Sequence, residues 1–90
     1  MRLGKIINIL VKRRLKGMLE CRGTNLSNLS KEMKKSHTYL SSTLGSDSAI
    51  NLEVIFEIAI KLQCTMSELL PSEDEIESAI KQTKGVKDEK

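Results

Sequence analysis

Nowhere in this chain do four or more residues alternate cleanly between apolar and polar side chains, whereas apolar residues return repeatedly at three- and four-residue steps. That spacing belongs to helices with one buried face and argues against half-buried strands. Breakers are few, with one proline (Pro71) and five glycines, so the chain reads as helices joined by short turns. The expected fold class is all-α: a compact five-helix domain with an extended first helix and a short C-terminal sixth.

The first helix is expected from Leu3 to Cys21, with Ile6, Ile7, Leu10, Val11, Leu15, Met18 and Leu19 along one side and Gly23 as its stop. Asn25 is placed to cap a second segment reaching Met33, with Leu26, Leu29 and Met33 on one face. After a break at Lys34-Lys35, Ser36 caps a third helix from His37 to Leu44 whose inward positions are Leu40 and Leu44. Asn51 caps a fourth helix, Leu52 to about Gln63, expected to bury Leu52, Ile55, Ala59 and Leu62. Thr65 to Glu68 fits a capping box for a fifth helix ended by Pro71. Ser72 with Glu75 fits another, for an acidic sixth helix ending near Lys81, and 83–90 reads as a frayed polar tail.

Ninety residues suffice for one modest core. Tyr39 and Phe56 are the only aromatic residues, which excludes the exposed ring platforms that single-stranded nucleic acids stack on. One histidine and two unpaired cysteines, Cys21 and Cys64, cannot assemble a Cys/His zinc site. The thiols read as reduced, with Cys64 packed in the core, in a cytoplasmic protein. The start shows no leader pattern, and no apolar run approaches the roughly 20 residues of a membrane span. No nucleophile–base pairing or cofactor motif is visible, so no enzyme activity, metal or cofactor is expected.

Charge divides the chain. Residues 1–45 carry a net +8 and residues 46–90 a net −5, within an overall +3. A field so polarised would present the basic half to a polyanion. The run Lys12-Arg13-Arg14 reads as a solvated helix face, and Glu73-Asp74-Glu75-Glu77 as a helix start whose acids suit the dipole.

Two short helices separated by two or three residues form the informative constellation, because such a turn forces a steep crossing. Gly23-Thr24-Asn25-Leu26-Ser27-Asn28-Leu29-Ser30 leads into Ser36-His37-Thr38-Tyr39-Leu40-Ser41. Asn51-Leu52-Glu53, Ile58-Ala59, Leu62 and Cys64-Thr65-Met66-Ser67-Glu68-Leu69-Leu70 follow in order. This run, roughly Leu15 to Leu70, resembles the lambda-repressor/Cro-like (XRE-type) helix-turn-helix family of bacterial and phage transcription regulators.

The resemblance implies a DNA-binding domain over 1–71, with the helix-turn-helix proper at 24–44 and an acidic helix and tail over 72–90. The third helix would enter the major groove, where each base pair shows its own donor and acceptor pattern. His37, Thr38, Ser41 and Ser42 would face base edges. Asn25, Lys34, Lys35, Ser36 and Tyr39, helped by Arg22, would meet phosphates. Several residues depart from the family pattern. The reading helix offers a histidine and hydroxyls in place of Gln, Asn or Arg, and Asp47 would repel phosphate. Lys34 occupies a turn position often filled by glycine, and Lys35 one that is usually apolar. Leu19 and Leu44 stand where many members carry an ion pair and are expected to meet as an apolar contact.

Apolar residues exceed what one small core obviously covers: either the front of the first helix and the outer side of the fourth cover each other, helped by Ile76 and Ile80, or they pair between chains. The favoured reading is a homodimer reading an inverted repeat, with Ile6, Ile7, Leu10, Val54 and Ile58 as the dimer or partner surface. A rival reading keeps the fold but makes it a protein-binding module, an antitoxin or antirepressor. The partners expected are double-stranded DNA, a second copy and, on the rival reading, another protein, with no membrane.

Overall fold

A computed structural model describes residues 3–87 of the chain, with side chains described through residue 82. It is all-helical, with no strand among the described residues. Its helices are α1 (Leu3–Cys21), α2 (Leu26–Glu32), α3 (Tyr39–Leu44), α4 (Leu52–Leu62), α5 (Met66–Leu69) and α6 (Glu73–Lys87). α1 is the central post, packing against α3, α5 and α6, while α2 packs on α3 and α4 on α5. No helix among the described residues is long and apolar enough to cross a membrane.

The start signals act as their chemistry requires. Asn25 Oδ1 accepts the Asn28 N–H and Asn51 Oδ1 accepts the Val54 N–H, both at 2.9 Å. The Glu68 carboxylate accepts the Thr65 N–H at 3.1 Å. Glu75 accepts the Ser72 N–H at 2.9 Å while the Ser72 hydroxyl takes the Glu75 N–H at 3.1 Å, so α6 opens on a complete capping box.

Three helices end in the same left-handed closure, in which two successive N–H groups turn back to open carbonyls of the last turn. At α1 the residue in the left-handed region is Gly23 (φ 71°), with the Thr24 N–H on the Leu19 carbonyl at 3.0 Å. At α2 it is Lys34 (φ 64°), with Lys35 bonded to Ser30 at 3.0 Å. At α4 it is Gln63 (φ 56°), with Cys64 bonded to Ala59 at 3.0 Å. Lys34 thus holds the conformation for which glycine is favoured, and holds it with a side chain.

The core gathers Val11, Leu15 and Leu19 of α1, Leu29 of α2, Leu40 and Leu44 of α3, Ile55 and Ile58 of α4, and Leu69 of α5. Leu19 and Leu44 both belong to this one core cluster.

Four expectations are corrected. Ser36 does not cap α3, which begins at Tyr39 with Thr38 before it and no side-chain cap bond. Ser36 instead accepts the Tyr39 N–H through its backbone carbonyl at 3.1 Å, because the left-handed Lys34 closure carries the chain past a capping position. α6 continues to Lys87, beyond the end expected near Lys81 and into the stretch read as frayed; residues 88–90 lie outside those described. α4 is also rotated from its expected setting. It buries Val54, Ile55, Ile58, Ala59 and Leu62 and leaves Leu52, Phe56 and Ile60 more than half exposed. Ile50 before the helix and Leu69 after it are both core residues, and an apolar arc this wide is turned by whatever its flanks must bury. Finally, Arg14 leaves the solvated face assigned to it and pairs with Glu75, tying α1 to α6.

Candidate nucleic-acid interface

The unit that could meet a nucleic acid is α2, the turn through Lys34 and Lys35, and α3. Leu29, Leu40 and Leu44 pin both helices inward, with exposures of 2% or less, and the opposite side of the unit stays open. All four expected base-reading residues, His37, Thr38, Ser41 and Ser42, are exposed. Because α3 starts at Tyr39, His37 and Thr38 stand on the tight turn before the helix, and only Ser41 and Ser42 project from it. The Ser36 and Thr38 hydroxyls lie 3.5 Å apart at the mouth of this turn.

Of the expected phosphate residues, Asn25, Lys34, Lys35 and Ser36 are exposed and Tyr39 is half-buried. The Lys35 ammonium sits 5.3 Å from the centroid of the Tyr39 ring, close enough for attraction to its face, so its charge is held beside the first turn of α3. Asn25 Oδ1 is committed to capping α2, which leaves the amide NH₂ as the donor half of that side chain. Arg22 is exposed.

Lys16 was missed from the sequence. It lines a hollow of about 240 Å³ together with Thr24, Asn25 and Ser27, where the Gly23 closure folds the start of α2 back onto the end of α1. Nothing in the spacing of Lys16 distinguishes it from its charged neighbours.

Asp47, expected to repel phosphate, stands 3.8 Å from the Lys5 ammonium, with Asp47 exposed and Lys5 partly so. An ion pair so placed is worth at most about 1 kcal/mol, but it gives the Asp47 charge a nearby partner. Cys64 is half-buried and packs against the core, and burial, followed by the Glu68 carboxylate, pushes its thiol up. The Ser72 backbone N–H, reinforced by Arg14, holds the Glu75 carboxyl below the usual glutamate range.

The surface assigned to a second copy is corrected. Ile6, Leu10, Val54 and Ile58 are buried within the chain and Ile7 packs against the core at half exposure. α1 and α4 use Ile6, Leu10, Val54 and Ile58 for the interior, so these four cannot also face a partner. Among the described residues the large apolar side chains left exposed are Leu3, Ile9, Leu52, Phe56 and Ile60. The last three follow at four-residue steps and form one ridge along α4.

Among the described residues no three His, Cys, Asp or Glu side chains gather as metal ligands would. No family model, curated protein or solved structure matches the chain.

Proposed function

We propose that this protein is a small DNA-binding transcription regulator of the lambda-repressor/Cro-like kind, acting in the cytoplasm by occupying an operator. The supporting observation is the open side of the α2–turn–α3 unit, where Ser41 and Ser42 on α3 and His37 and Thr38 just before it are exposed beside Lys34 and Lys35. In this reading α3 lies in the major groove, with hydroxyls and an imidazole offered to base edges and the lysines to phosphates. Short hydroxyl side chains suit water-bridged contacts better than the bidentate pairing of Arg or Asn. Specificity would then depend strongly on how firmly α3 is held.

The regulator is proposed to act as a homodimer, with reading helices about 34 Å apart on an inverted repeat. The Leu52–Phe56–Ile60 ridge supplies exposed apolar surface for the second copy. The same ridge favours one rival, a module of this fold that covers another protein.

Selection of bound sequences from a random duplex pool is the deciding experiment. Enrichment of an inverted repeat, with affinity falling steeply as salt rises because phosphate contacts release counterions, is the expected result. No enrichment and no salt dependence, with a stoichiometric protein complex instead, would transfer the assignment to the rival.

A further inference from the structure

The buried polar side chains among the described residues are Asn8 and Ser30, each with no exposed surface, and both direct their hydrogen bonds at the segment carrying α3. That helix has six residues. Nucleation fixes several dihedrals for a single hydrogen bond, so a helix this short does not persist by propensity alone.

Its two ends are gripped from different helices. At the N-terminal end, where no side chain of α3 caps the open N–H groups, Ser30 of α2 accepts the Leu40 N–H at 3.2 Å. At the C-terminal end, Asn8 of α1 faces the chain leaving α3. Its Nδ2 donates to the Ser48 carbonyl at 2.7 Å, the Ser46 carbonyl at 3.0 Å and, more weakly, the Thr43 carbonyl at 3.5 Å. Its Oδ1 accepts the Ile50 N–H at 2.8 Å. One turn earlier, Gly4 lets the same loop lie directly on α1, since a Cβ there would come within 2.7 Å of the Ala49 nitrogen and closer still to the Asp47 carbonyl oxygen.

We propose that Ser30 and Asn8 are the positioning residues of α3, setting its angle to α2 and α1 and hence the direction in which Ser41 and Ser42 point. Leu40 and Leu44 fix only how deep the helix sits, because apolar burial is nearly indifferent to direction. Hydrogen bonds require both a distance and a line of approach, and a buried one left unmade is costly. The consequence for DNA rests on the function proposed above; the hold on α3 does not.

Amide exchange followed by NMR on the full chain, with duplex binding measured alongside, tests this. In the unaltered protein the Leu40 and Ile50 amides should be protected to the level of Ile58 in α4, although one lies in a first turn and the other in a loop. In Ser30→Ala, Leu40 should exchange at least tenfold faster relative to Ile58 in the same sample. Affinity for a selected duplex should fall about tenfold while circular dichroism shows the folded population unchanged and the salt slope stays the same. Asn8→Ser should do likewise for Ile50 and the loop.

A purely structural role would speed all amides together and leave the affinity of the folded molecules untouched; that outcome overturns the proposal. So would rapid exchange of Leu40 and Ile50 in the unaltered protein, a result available even where a variant fails to fold. The exchange pattern without duplex binding by the unaltered protein would refute the DNA reading and leave the positioning of α3 standing.

Discussion

Replacing Lys34 with glycine should make the protein more stable and, on the DNA-binding reading proposed above, a weaker DNA binder, two effects that separate cleanly. Lys34 closes α2 at φ 64°, a region that costs a residue with a Cβ about 1–2 kcal/mol. Glycine removes that strain but brings extra freedom to the unfolded chain, a loss of about 0.5–1 kcal/mol. Removing a cation from the C-terminal end of a helix forfeits a few tenths more. The balance for Lys34→Gly is a gain of about 0.5 kcal/mol, or a melting temperature roughly 2–4 °C higher for a domain of this size.

Gln63 is the internal control, closing α4 in the same way at φ 56° with no charge. Gln63→Gly should therefore gain somewhat more, about 0.5–1 kcal/mol, and leave DNA binding alone. Urea titration of both variants reads the stability half. Duplex affinity across a salt series reads the other, where losing one phosphate contact lowers the log–log slope by about 0.9. A Lys34→Gly protein less stable than the parent, or one whose salt slope matches that of Gln63→Gly, would refute the reasoning.

Two glycines of α1 should respond oppositely to alanine. Gly17 has open space where a Cβ would stand, so Gly17→Ala should stabilise by about 0.5–1 kcal/mol, whereas Gly4→Ala drives a methyl into the backbone of the loop after Asp47 and should destabilise by about 1–3 kcal/mol in the same denaturation assay; equal signs would show that the loop does not rest on α1. The lowered Glu75 carboxyl contributes stability above the usual glutamate range that is lost as pH falls through its folded value, so Glu75→Gln should flatten the acid side of the stability–pH curve, and an unchanged acid limb would remove the capping box and Arg14 as its cause. In a timed thiol titration, exposed Cys21 should react well before Cys64, whose burial raises its thiol, and indistinguishable rates would contradict that packing.

How much was legible follows the range of the interactions. Asn25 and Asn51 cap the helices they were expected to cap, and Ser72 with Glu75 closes the start of α6, because a cap is settled within four residues of chain. Ser36 shows where local reading stops, since the Lys34 closure just before it determines how the chain arrives. The exposed set His37, Thr38, Ser41 and Ser42 was legible because Leu40 and Leu44 had to turn inward. Lys16 was not, being brought beside Asn25 only by the fold-back at Gly23. Asn8 is a polar residue within an apolar stretch of α1, and its role needed the loop after α3 to lie against it.

What the amino-acid order determined by itself was the all-helical class, the caps at Asn25, Asn51, Thr65 and Ser72, and the inward residues Leu15 and Leu19 of α1, Leu26 and Leu29 of α2, and Leu40 and Leu44 of α3, all set by periodicity and short-range hydrogen bonding. Only the tertiary structure decided which arc of α4 is buried, where Asn8 and Ser30 direct their hydrogen bonds, and that Ile6, Leu10, Val54 and Ile58 serve the interior. A helix with apolar residues around most of its circumference can satisfy the hydrophobic effect in several rotations. The rest of the packed chain, arriving from far along the sequence, selects among them.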